Sequence, residues 1–259
     1  MSLAALAADV RNSQQLLVLT GAGMGLASGI ATFRGTDAGA VWANDIMEKG
    51  TRAYFERDPV GSWRWYRSRF AGLDAAKPNA GHFALAELET WQLARKRGFL
   101  LVTQNIDTLH GQAGSQQLVE VHGRADRVRC SSARCVNAAP TGSLPRADVD
   151  FATFDARPCP ETLPSCPACG FIVRAHVLWF DEYYHQHADY QFERALSAMR
   201  TADLILFVGT SFSVGVTAAA LDTNAKKWLI DPAGCEELGV KSLLAAQEVA
   251  LPDLIRALG

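Results

Sequence analysis

The sequence predicts an α/β fold: an open, doubly wound parallel sheet interrupted by a small cysteine-rich insertion. Three observations carry that prediction. Several apolar runs show no alternation, as in strands covered on both faces. Helical periodicity lies between them, and strands alternating with helices build such sheets. Five of the six cysteines fall between Cys130 and Cys169, in a proline-rich stretch with little apolar periodicity.

The first strand is Leu16 to Thr20 (LLVLT), which runs straight into Gly21, Ala22, Gly23, Met24 and Gly25. Strand, glycine turn and helix start are the elements of a phosphate-binding corner. A helix follows at His82 to Arg97, then a second strand, Phe99 to Thr103 (FLLVT), ending in Gln104-Asn105-Ile106-Asp107. After the insertion, a helical pattern at Asp189 to Met199 leads into Leu204 to Gly209 (LILFVG), closed by Thr210 and Ser211. Lys227 to Ile230 (KWLI) is a fourth strand candidate. In open sheets ligands sit beyond the carboxyl ends of the strands, so the polar strand ends are expected to converge on one crevice.

The chain has 259 residues, 49% hydrophobic and 20% charged, with a formal net charge of -2. That is enough chain for a sizeable core, and the charge gives no reason to expect nucleic acid or an anionic membrane as a partner. No apolar run approaches the roughly 20 residues of a membrane span. The N-terminal MSLAALAADVRNSQQ carries no basic leader, so a cytoplasmic location is expected. In a reducing compartment, clustered thiols point to metal or catalysis before disulfides.

Cys130-x4-Cys135 and Cys166-x2-Cys169 form two short-spaced pairs, the pattern of a closed, tetrahedral four-thiolate zinc site. Cys159 competes with Cys166 as a ligand, whereas Cys235 stands alone. A structural metal would replace the apolar core this stretch lacks. Histidine is the natural proton acceptor at neutral pH, and His122, in VEVHG, competes for that role with His82, His110, His176, His185 and His187. Asn105 and Asp107, two apart at a strand end, either face one crevice together or serve the backbone, with Asp107 capping the next helix.

GAGMGLASGIATFRG, TQNIDTLH, VEVHG, the cysteine pairs, HVLWFDE and GTS occur in the order found in sirtuins, the NAD-dependent protein lysine deacylases. The resemblance runs from about residue 15 to the end. It implies a Rossmann-like domain, residues 1–123 and 171–259, and a small zinc-binding insertion, 124–170, with NAD and acyl-lysine proteins or peptides meeting in the cleft between them. By position, His122 resembles the general base, with Asn105 and Asp107 beside it. Gln104, Asn105 and Asp107 would surround the nicotinamide ribose. Gly21, Ala22, Gly23, Phe33 and Arg34 would form the loop over NAD. Gly209, Thr210, Ser211 and Asp231 would lie on its phosphate and adenosine side. Val177 would pair its backbone with the substrate peptide, and Phe180 would line the acyl-lysine tunnel. In the implied reaction NAD is consumed: the acyl oxygen attacks the anomeric carbon as nicotinamide leaves, His122 helps deprotonate a ribose hydroxyl, and O-acyl-ADP-ribose is released.

Tyr66 and Arg69 lie at i, i+3 on a predicted helix and so share a face. By pattern alone they belong to an aromatic packing helix with its arginines in solvent. The downstream KPNAGH (Lys77 to His82) aligns them with the Tyr-x-x-Arg pair by which one sirtuin class accepts succinyl and malonyl groups. A buried Arg pairs well with a distal carboxylate. The chain departs from its relatives at Gly25, where most have Ser, and at Ala31 and Val216, where Pro is common. It also departs at Asp181, usually Gly, and at Asp231, usually Asn. The resemblance thus implies a deacylase acting on succinyl-, malonyl- and acetyl-lysine. An ADP-ribosyltransferase or NAD hydrolase on the same fold, and a non-catalytic NAD sensor, are the alternatives. A dehydrogenase is disfavoured, because no acidic residue ends a second strand about 20 residues past the glycines.

Overall fold

The computed structural model describes residues 1–31, 43–235 and 239–259, with backbone alone for 43–45. Nine strands are described: β1 (Gln15–Thr20), β2 (Gly98–Thr103), β3 (Leu118–Glu120), β4 (Gly123–Cys130), β5 (Leu144–Pro145), β6 (Val173–Val177), β7 (Leu204–Val208), β8 (Lys226–Ile230) and β9 (Lys241–Leu243). The helices are α1 (Leu3–Asn12), α2 (Ala43–Lys49), α3 (Arg52–Arg57), α4 (Pro59–Ala75), α5 (Ala80–Ala94), α6 (Leu109–Gln112), α7 (Ala152–Ala156), α8 (Phe192–Thr201), α9 (Gly215–Leu221) and α10 (Gln247–Leu258). All four expected strands form.

Six strands build one parallel sheet in the order β3-β2-β1-β7-β8-β9. The unbroken apolar runs are explained by burial on both faces. Leu16 and Val18 of β1 pack with Leu204 and Leu206 of β7 against α1, α5 and α10. The intervening Leu17 and Leu19, with Ile205 and Phe207, pack against α8 and α9 on the other side. A period of two thus sends consecutive apolar residues into two separate cores.

The second sheet is small and antiparallel, ordered β5-β4-β6. It reaches beyond the expected insertion 124–170, because β4 needs β6, residues 173–177, as its hydrogen-bonding partner. Its core also takes in Phe55, Trp63, Tyr66 and Phe70 from α3 and α4. Asp58 caps α4 by accepting from the Gly61 N–H at 2.8 Å, with Pro59 at the first helical position. The Trp63 indole then donates to the Val173 carbonyl at 2.7 Å, docking α4 on β6. The region between Cys130 and Cys169 is therefore less structureless than its sequence implies: β5 and α7 lie within it.

Candidate active site

Chain order reverses between β1 and β7, the switch point at which open sheets bind ligands. Here the loops after the two strands interlock. Gly21 N–H donates to the Val208 carbonyl at 3.0 Å and Gly23 N–H to the Gly209 carbonyl at 2.9 Å. A Cβ on Gly21 would lie 2.8 Å from the Gly209 carbonyl oxygen, and one on Gly23 2.8 Å from the Gly209 Cα. Gly209 itself has φ +57 and sits in the left-handed region. Glycine is needed at all three positions for this approach. The chain then enters a short 3₁₀ helix, Ala22–Ser28, rather than an α-helix. Phe33 and Arg34 lie outside the described residues.

The third strand end is tied to the same point. Gln104 Nε2 donates to the Thr20 carbonyl at 3.1 Å and to Thr210 Oγ1 at 3.2 Å, spanning the ends of β1, β2 and β7. Asn105 Nδ2 donates to the Gly21 carbonyl at 3.0 Å. Asp107 accepts from the Leu109 N–H at 2.9 Å, but the N-cap of α6 is Thr108, so Asp107 closes the turn one residue before the cap rather than filling it as expected. Its carboxyl also borders a cavity of about 460 Å³ lined by Glu120, Arg124 and Asp126. At the far edge, Asp231 accepts from the Ala233 N–H at 2.9 Å, while Ser211 is exposed and bonded to Ser213 at 2.7 Å.

His122 follows β3 and stands beside these strand ends. Its Nδ1 donates to the Gln104 carbonyl at 2.8 Å, which leaves Nε2 as the lone-pair nitrogen, 3.1 Å from the Tyr184 hydroxyl. Burial pushes the ring pKa down to about 4, against the opposing pull of the Gln104 carbonyl. The imidazole is therefore neutral across the physiological range and presents an acceptor nitrogen. Tyr184, stacked on Phe192 with ring centroids 4.2 Å apart, is a residue that sequence reasoning missed. It lies in the YYHQH run, which has no periodicity or motif to mark it.

The other histidines are placed elsewhere. His82 and His110 are buried below the crevice, with ring centroids 4.7 Å apart, and His185 is exposed. His176, His187 and Asp189 approach one another closely enough to suggest a metal triad. However, His187 already uses both nitrogens, one toward the Gly142 carbonyl at 3.0 Å and one accepting the Asp189 N–H at 3.1 Å. Those bonds make it a clasp onto the loop before β5.

The segment after β6 carries the remaining expected residues. Val177 is buried and its carbonyl accepts from Arg174 at 3.2 Å, while Phe180 is 53% exposed. Glu182 is gripped by Arg174 at 2.5 Å and Arg129 at 3.1 Å, with all three side chains buried. Burial alone would raise Glu182, but the two guanidiniums outweigh it and hold the carboxyl below its ordinary value. Tyr66 is buried on α4, accepting from the Trp179 indole at 2.6 Å. Arg69, one turn on, stacks on the Trp65 ring at 4.7 Å.

Cys130, Cys135, Cys166 and Cys169 bring their sulfurs within 4.8 Å of one another, including contacts of 3.4 and 3.7 Å. Four thiolates around one zinc at about 2.3 Å stand about 3.8 Å apart, so the set fits that ion. The surrounding donors suit anionic sulfur: Ser132 N–H faces Cys130 Sγ at 3.3 Å, and the Asn137 side-chain amide faces Cys166 Sγ at 3.4 Å. Cys159 instead contacts Thr162, which decides the competition in favour of Cys166.

A family model described as the Sir2 family matches residues 21–216. The chain belongs to the Sir2 family. An NAD-dependent protein deacylase of Thermus thermophilus is 43% identical over 211 residues, covering 81% of this chain and 74% of its own. The NAD-dependent deacetylase sir2E of Dictyostelium discoideum is 33% identical over 271 residues, covering 98% of this chain and 76% of its own. Two solved Sir2 homologues share 30% identity. One, a mutant in complex with ADP-ribose, has a TM-score of 0.81 and covers 98% of this chain and 95% of its own. The other, in complex with NAD, has a TM-score of 0.79 and covers 98% and 93%. Among the described residues, this Sir2-family chain has no helix long and apolar enough to cross a membrane.

Proposed function

We propose that the chain is an NAD-dependent protein lysine deacylase that removes succinyl, malonyl and acetyl groups. One observation carries the reading: a neutral His122, held through Nδ1, presents its Nε2 beside the joined ends of β1, β2 and β7 in a Sir2-family fold. The relatives' names supply the reaction, and the residues fit its demands. The interlocked glycines, Gly21, Gly23 and Gly209, together with Ala22, Gln104, Thr210, Ser211 and Asp231, would hold NAD, and Phe33 and Arg34 belong to the same loop in sequence. Bound there, NAD supplies an electrophilic anomeric carbon with nicotinamide as leaving group. His122 Nε2, 3.1 Å from the Tyr184 hydroxyl, would take the proton of a ribose hydroxyl. Asn105 and Asp107 would position the ribose and nicotinamide ends. Val177 and Phe180 would border the substrate peptide and its acyl-lysine. A closed site matters, because water would intercept the activated ribose.

Residues 124–170 would be the insertion that holds the structural zinc, and the rest of the chain the NAD-binding domain. A cytoplasmic setting fits, since a reducing compartment keeps the four thiols available to the metal. The acyl preference rests on Tyr66 and Arg69: a hydroxyl and a cation one turn apart on α4, the first buried and the second half-buried.

A panel of succinyl-, malonyl- and acetyl-lysine peptides, assayed with and without NAD, tests the reading. Turnover should require NAD and disappear in His122→Ala. Arg69→Met should cut succinyl turnover at least tenfold more than acetyl turnover, as expected for loss of a charge-assisted bond to a carboxylate. Cleavage of NAD without deacylation would favour a hydrolase or ADP-ribosyltransferase instead.

A further inference from the structure

Tyr66 is 5% exposed, and the one hydrogen bond described for its hydroxyl is as acceptor, from Trp179 Nε1 at 2.6 Å. A phenol hydroxyl has one proton, which prefers the ring plane, and lone pairs that can accept. An indole N–H can only donate. The side of the oxygen facing Trp179 must therefore accept, and the phenolic proton is left to point away from it. Burial keeps that proton in place by raising the Tyr66 pKa. The Arg69 guanidinium lies one turn along the same helix, over the Trp65 ring at 4.7 Å. Residues at i and i+3 share a helix face, and a carboxylate with two oxygens can take one bond from each of two donors placed there.

Trp179 has little freedom to move. Its ring is 2% exposed, covered by the Arg174 guanidinium at 3.1 Å from the ring centroid and flanked by Phe55 at 5.4 Å. Its backbone N–H donates to Glu182 at 3.2 Å, the carboxylate gripped by Arg174 and Arg129. A buried ion-pair network therefore anchors the donor that orients a hydroxyl 113 positions away in sequence.

We propose that Trp179 is a positioning residue for acyl selection: its indole N–H turns the Tyr66 hydroxyl so that its proton, with the Arg69 guanidinium, meets the distal carboxylate of an acyl-lysine substrate. This rests on the succinyl and malonyl reading above. Without the indole donor, the hydroxyl can swing toward Trp179's place, and binding must then restrict it at an entropic cost.

The experiment measures kcat and KM of the full chain with NAD on succinyl- and acetyl-lysine peptides. Wild type is compared with Trp179→Phe, Tyr66→Phe and the double variant. Trp179→Phe should lower the succinyl-to-acetyl ratio of kcat/KM about tenfold, through KM for the succinyl peptide. In the Tyr66→Phe background it should change that ratio less than twofold. Equal losses on both substrates, or a further tenfold loss on top of Tyr66→Phe, would overturn the proposal. Where Trp179→Phe fails to fold, 3-benzothienylalanine at this position keeps the ring shape, removes the donor and gives the same readout. Arg69→Met separates the two levels of inference. If it and Tyr66→Phe shift the ratio and Trp179→Phe does not, only the role of Trp179 fails. If none of the three shifts it, the acyl preference fails and the proposal with it.

Discussion

Glu120 sits two residues before His122 at the end of the edge strand β3. Burial, reinforced by Asp126 and Asp107 and only partly offset by Arg124, pushes its pKa from 4.5 up to about 7. A carboxyl raised on folding holds its proton more tightly in the folded state than in the unfolded one. Its stabilising contribution is complete below pH 4.5 and is lost as pH rises through about 7. Glu120→Gln should remove this dependence. In urea unfolding, the variant should gain stability relative to wild type between pH 5 and pH 8; a difference that stays constant would mean an ordinary ionisation. His122 shifts the other way, and as the proposed base it should set the acid limb of activity near pH 4, not 6.5.

At the scale of elements, the Asp181 departure acquires a role. Its carboxylate accepts from the Arg52 and Ala53 N–H groups at 2.7 and 3.1 Å, capping α3 from the segment that carries Phe180. Asp181→Ala should cost about 1 kcal/mol, the usual worth of an N-terminal cap, while Asp181→Asn should keep most of it. For a chain of this size, thermal melting should show a drop of about 2–4 °C for the alanine variant. No change would mean that Thr51, accepting from the Tyr54 N–H at 3.1 Å, caps the helix alone.

For the whole molecule, the small sheet and the zinc site stand or fall together. Cys130 ends β4, and Cys166 packs in the same core as Val173 and Trp63. Removing the metal leaves four crowded sulfurs in place of a tetrahedral centre. Chelation, or Cys166→Ser, should lower the melting temperature on the order of 10 °C, and inductively coupled plasma spectrometry should find one zinc per chain. A stable, zinc-free protein would remove the metal from the account. Because α4 docks on this sheet through Trp63, the acyl selection proposed for Tyr66 should weaken when the zinc is lost.

Strands β1, β2, β7 and β8 were legible in the sequence because burial on both faces writes itself as continuous apolar runs. The metal ligands were legible because thiolate spacing is a local property. The strand-end residues from Gly21 to Gly23, Gln104 to Asp107 and Gly209 to Ser211 could be found by motif, but not what they bond to. Tertiary structure decided the rest. It set the His122 ring against the Gln104 carbonyl, placed Tyr184 against its Nε2, and sent Asp181 to cap a helix. It also joined Trp179 to Tyr66 and carried the small sheet out to Val177. These are contacts between residues far apart in the chain, set by which elements pack together. A local pattern records how a segment meets its own neighbours and core; it carries no record of the partner that a fold brings from a hundred residues away.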